Sequence, residues 1–68
     1  MEKREKKLVK IICKLVSCYN EFESEEYYHY YMGILLALNE LGYDVQIIKN
    51  EILKFNGVEY NIEEVADA

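Results

Sequence analysis

The sequence predicts an α+β domain: an antiparallel two-helix hairpin, then a C-terminal β-hairpin or three-stranded meander packed on the helices. Three observations carry this expectation. Two segments with helical apolar spacing come first, the period changes to two after Gly42, and Asn56-Gly57 separates two alternating runs. With 68 residues the chain makes one small domain, 1–68, near the lower size limit for a single core.

A first helix is expected over about residues 3–20. Leu8, Ile12, Leu15, Tyr19 and Phe22 repeat at 4-3-4-3 spacing, and Ile11 and Cys18 widen the stripe. Val9, Cys13 and Val16 lie on its flank. Opposite runs a basic stripe, Lys3, Lys7, Lys10 and Lys14, within about 60° on a helix. Its ordinary reading is a solvated face, helped by Glu2 near Arg4 and Lys6.

Residues 20–24 form the expected connection, short enough to make the helices antiparallel neighbours. The second helix is expected over about 25–41. Ser24 suits its N-cap, with a hydroxyl able to accept from amides one turn in, and Glu25 and Glu26 favour the positive end of the helix dipole. Tyr27, Tyr30, Tyr31, Ile34, Leu38 and Leu41 form one stripe, and Tyr28, Met32, Leu35 and Leu36 extend it far around the helix. Such a helix calls for cover on more than one side. The first helix and the hairpin supply cover for the Ile34–Leu41 half, leaving the Tyr27–Tyr31 half for a partner. Gly42 is the left-handed stop, with Tyr43 placed to pack back on Leu38 as in a Schellman motif. Gly33 is either a point of close backbone approach or a tolerated surface glycine.

Strands are expected at about 45–49, 51–55 and 58–62. A type I′ turn at Asn56-Gly57 pairs Phe55 with Val58, Lys54 with Glu59, Leu53 with Tyr60 and Ile52 with Asn61. Leu53, Phe55, Val58, Tyr60 and Ile62 then share one face, and Lys54 and Glu59 form an ion pair on the other. Val45 to Lys49 reads as a third strand turned by Asn50-Glu51, against an alternative helix from Asp44 to Phe55. Strand is preferred because the Asn-Gly turn needs Leu53 and Phe55 extended, and an isolated hairpin is marginal. Asn61 and Glu64 have capping-box spacing, which allows a final helical turn.

Composition narrows the function classes. The net charge of −5 divides into +4 over residues 1–14 and −9 over the remainder. No apolar run reaches the about 18 to 20 residues of a membrane span, and no signal-peptide pattern follows the basic start. An intracellular, cytoplasmic protein with no membrane role is the expectation. Cys13 and Cys18 point to different helix faces, about 140° apart, so they are expected as unbridged structural thiols. The chain has one histidine, His29, four residues after Glu25, and no second histidine to complete a metal set. No catalytic triad and no glycine-rich phosphate loop is present, so no enzyme, metal or cofactor is expected.

The candidate binding feature is an acidic and aromatic patch. Glu21, Glu23, Glu25 and Glu26 lead into Tyr27, Tyr28 and Tyr31, in a chain with seven tyrosines. Tyrosine offers rigid contact area with a polar tip, and the carboxylates suit a basic protein surface. The expectation is a non-catalytic protein-binding module, an inhibitor or regulator. One alternative is nucleic-acid binding through Lys3, Lys7, Lys10 and Lys14, which the net negative charge disfavours. Another is a homodimer that pairs the wide apolar arc of the second helix. Abundant Lys, Ile, Asn and Tyr without Pro or Trp suggests an AT-rich genome. In that general look the chain is similar to many small phage and mobile-element proteins.

Overall fold

The computed structural model describes residues 3–68. The expected Glu2 contacts with Arg4 and Lys6 lie outside these residues. The order is α1 (Lys3–Phe22), α2 (Glu25–Glu40), β1 (Val45–Ile48), β2 (Ile52–Phe55), β3 (Val58–Asn61) and α3 (Ile62–Asp67). The strands form an antiparallel meander in the order β1-β2-β3, and the helices pack against it, so the α+β expectation holds.

α1 packs against α2, α3 and β2, and this moves its buried face. Val9, Ile12, Cys13 and Val16 are the buried positions, whereas Leu8, Leu15 and Tyr19 are only partly buried and Ile11 and Phe22 are exposed. The sequence stripe centred on Leu8–Phe22 is therefore about 90° off the true centre. The physical reason is α3: a short terminal helix covers the Val9–Cys13 flank, and one stripe cannot report two neighbours.

α1 also runs to Phe22, two residues past its expected end, leaving Glu23 and Ser24 as the connection. Glu23 takes φ 52°, and its N–H donates to the Tyr19 carbonyl at 2.7 Å, a left-handed C-terminal cap. Ser24 occupies the N-cap of α2, but its side chain makes no capping bond; its carbonyl accepts from Tyr27 and Tyr28 N–H. The stop at the other end is as expected. Gly42 has φ 102°, Tyr43 N–H donates to Leu38 O at 3.0 Å, and Gly42 N–H to Asn39 O at 3.1 Å, the Schellman pair. The Tyr43 ring lies 5.6 Å from that of Phe55.

In the sheet, β2 and β3 pair in the expected register, and Asn56 and Gly57 both have positive φ, as a type I′ turn needs. Strand rather than helix holds at Val45, which faces Phe55 across β1 and β2. The first turn comes one residue earlier than expected: Lys49-Asn50-Glu51 connects the strands, with φ 53° and 57° at the first two. Val45, Leu53 and Phe55 are buried on the helix side. Val58 shares their face but is exposed, because β3 is an edge strand whereas its partner Phe55 lies on the central one. β3 ends at Asn61, and Ile62 opens α3, fully buried, while its N–H still donates to Glu51 O at 2.9 Å. The Asn61 side chain accepts from Glu64 N–H at 3.0 Å, the expected cap.

Two polar clasps join these layers. The Asn39 amide donates to Leu35 O at 2.9 Å and Val45 O at 3.1 Å, and its oxygen accepts from Val45 N–H at 3.4 Å. One side chain thus satisfies both backbone groups at the start of β1. Glu63 on α3 accepts from Ser17 Oγ at 2.7 Å and Asn20 Nδ2 at 3.1 Å, and Asn20 also reaches Asn50 O at 2.9 Å. These bonds hold the Glu63 carboxyl below its ordinary range, against a smaller opposing effect of burial.

Asn39→Ala is expected to lower unfolding free energy by about 1–2 kcal/mol in urea titration, since it strips partners from Val45. The depressed Glu63 carboxyl fixes a sign with pH. Its contribution is fully present above the unfolded-state value near 4.5 and is lost as pH falls through the lower folded value. Glu63→Gln should therefore flatten the acid limb of the stability profile.

Candidate functional site

The α1–α2 connection gathers the acidic and aromatic residues at one end of the molecule. Glu21, Glu23, Glu25 and Glu26 are all exposed there. Phe22, expected in the core, is 62% exposed among them, in the last turn of α1. Its ring stacks on Tyr27 at 6.3 Å, and Tyr27 meets Tyr30 edge-on at 6.3 Å. Phe22, Tyr27 and Tyr30 thus make a continuous aromatic strip, and Tyr30 is itself 54% exposed.

The other tyrosines behave differently. Tyr31 is only 2% exposed and packs edge-on against Tyr19 at 6.0 Å and Tyr28 at 5.5 Å. Burial, then the neighbouring Tyr19 and Tyr28 phenols, push its hydroxyl above the usual value. It belongs to the core and offers no free surface. Tyr28 is half-exposed, closing a triangle with Tyr19 at 6.0 Å. The expected partner set of Glu21, Glu23, Glu25, Glu26, Tyr27, Tyr28 and Tyr31 is therefore brought to one end, with Tyr31 beneath it. Phe22 is a surface aromatic that sequence spacing assigned to the interior, and Tyr30, within the half left for a partner but outside the expected set, is exposed beside it.

The remainder of α2 departs from its expected division. Leu35 and Leu38 are core, but Leu36 and Leu41 are 67% and 76% exposed and Met32 is exposed too. Its buried stripe is only Tyr31, Leu35 and Leu38. Gly33 is the surface alternative of the two expected, with nothing within 4 Å of an added Cβ.

Around His29 there is a shallow depression lined by Tyr19, Glu25, Tyr28 and His29. Among the described residues no group of three or more His, Cys, Asp or Glu side chains is placed to hold a metal ion. The alternative lysines Lys3, Lys7, Lys10 and Lys14 are all exposed along α1. Lys10, with Lys6, Val9, Tyr60, Glu64, Val65 and Ala68, also lines an apolar-floored groove of about 390 Å³ between α1 and α3. Among the described residues no helix is long and apolar enough to cross a membrane.

Both cysteines are free thiols. Burial, and secondarily the Glu63 carboxylate, push the Cys13 thiol up to about 11, so it stays protonated and shielded at neutral pH. Cys18 is only half-buried. A thiol reagent should label Cys18 in the native protein and Cys13 only on denaturation, so a C18S variant should show no rapid labelling. Comparison with protein-family models, with curated proteins and with solved structures gives no match for this chain, so its functional reading stands on its own residues.

Proposed function

We propose that this chain is a non-catalytic protein-binding module, an inhibitor or regulator that docks through the α1–α2 tip on a basic protein surface. The observation carrying the reading is Phe22, exposed at 62% with Glu21, Glu23, Glu25 and Glu26 around it in the chain. An aromatic anchor within a charged rim is the anatomy of an energetic centre in protein interfaces. Glu23 adds support. A non-glycine residue at φ 52° costs about 1 kcal/mol, and glycine would cap α1 more easily. A carboxylate held there at a cost to stability fits a surface kept for binding. The free thiols suit a cytoplasmic setting, which belongs to the same proposal.

The exposure of Lys3, Lys7, Lys10 and Lys14 supports the alternative of nucleic-acid binding. Net charge opposes it, and phosphate contacts would give a steep salt dependence.

Affinity capture with wild type, Phe22→Ala and Glu23→Gly tests the first reading. Wild type should retain a basic partner whose binding weakens with salt. Glu23→Gly should be more stable by about 0.5–1 kcal/mol yet bind less, and Phe22→Ala should release the partner while staying folded. Equal retention by all three proteins would refute docking through the tip. Retention of nucleic acid instead, lost in a Lys7→Glu/Lys14→Glu variant, would transfer the function to the lysine stripe.

A further inference from the structure

The outward face of α2 carries a second surface, separate from the tip. His29, Gly33, Leu36 and Glu40 repeat at 4-3-4 spacing and fall within about 60° of one another on the helix. Their centre lies about 160° from that of the buried Tyr31, Leu35 and Leu38, so they face directly away from the core. All four are exposed, and Met32 and Ala37 flank them, exposed as well.

Two features of this stripe have no role within the monomer. Leu36 projects with 67% of its surface in solvent. Gly33, one turn earlier, weakens the helix relative to alanine, yet nothing lies within 4 Å of an added Cβ. The fold does not require a glycine there, and its absent side chain leaves room for another helix to approach closely.

We propose that this face binds a second copy of the chain, with the two α2 helices antiparallel about a two-fold axis between Ile34 and Leu35. The stripe is self-complementary in that register. Leu36 of each copy meets Gly33 of the other, a projecting side chain against a gap, which lets the backbones approach closely. Met32 and Ala37 lie on opposite flanks of that seam. At both ends His29 meets Glu40, where an imidazole N–H donates to a carboxylate. A two-fold interface has to be complementary to itself, and every pair in the stripe satisfies that at once. A parallel pairing would set Glu40 beside Glu40 and Leu36 beside Leu36.

Sedimentation equilibrium over a concentration series tests this, with circular dichroism to confirm that each variant is folded. Wild type should approach the dimer mass. Leu36→Glu and Gly33→Leu should each raise the dimer dissociation constant about tenfold or more. Leucine is the better helix former and has open space at position 33, so Gly33→Leu should fold. His29→Glu should also weaken the dimer, and adding Glu40→Lys to it should restore association. A monomer mass at every concentration would overturn the proposal, as would a dimer indifferent to Leu36→Glu and Gly33→Leu. Failure of the exchanged pair to restore association would overturn the antiparallel register.

Discussion

The structure depends on α1 being covered from three directions. α2, α3 and β2 all pack against it, and Ile12, Cys13 and Val16 are completely removed from solvent as a result. In a chain of 68 residues no single pair of elements buries enough apolar surface to offset chain entropy. Making one helix the common neighbour of the rest solves this, because each added element completes a face already half covered. α3 illustrates the point. With six residues it could not persist alone, but Ile62 is fully buried and Val65 and Ala66 pack on the same core.

Polar groups at the joints fix how these pieces meet. Among the described residues no charged residue is buried, so the core's orientation is set at its edges. Asn39 presents an amide to both backbone groups of Val45, a substitute for a neighbouring strand where α2 gives way to β1. Glu63 and Asn20 do the same for α3 and the first hairpin turn. All are neutral or singly charged groups near the surface, where a hydrogen bond contributes without the desolvation that a buried ion pair incurs.

What could be read from the sequence divides along physical lines. The Asn56-Gly57 turn and the Gly42 stop were legible because they depend on local backbone sterics, and the register followed from the turn by counting. The cap at Asn61 was local in the same way. The buried face of α1 was misplaced because periodicity reveals that a face is apolar, not how many neighbours share it. Phe22 and Tyr31 exchange the roles expected of them because burial depends on which neighbours reach each position, which no local pattern encodes. The clasps were invisible because Ser17, Asn20 and Asn39 meet partners fixed only by tertiary structure.

α2 is the element in which these arguments converge. Its fully buried stripe is Tyr31–Leu35–Leu38, with Ile34 partly buried beside it, while Met32, Leu36 and Leu41 stay in solvent. The opposite side carries Glu25, Glu26 and Glu40, but Gly33 and Leu36 interrupt them, whereas the lysine face of α1 has no such break. The two proposed surfaces are compatible with each other. In the antiparallel pair the acidic tips lie at opposite ends, separated by about 29 Å along the helix axis, from 1.5 Å of rise per residue. Phe22 and the glutamates around it lie outside the paired His29–Glu40 segment, and a partner with repeated basic sites could engage both tips. The second contact would then be intramolecular and strengthened by effective concentration, without any further contact surface. The outward face of α2 would in that case determine valency, and the tip would determine what is bound.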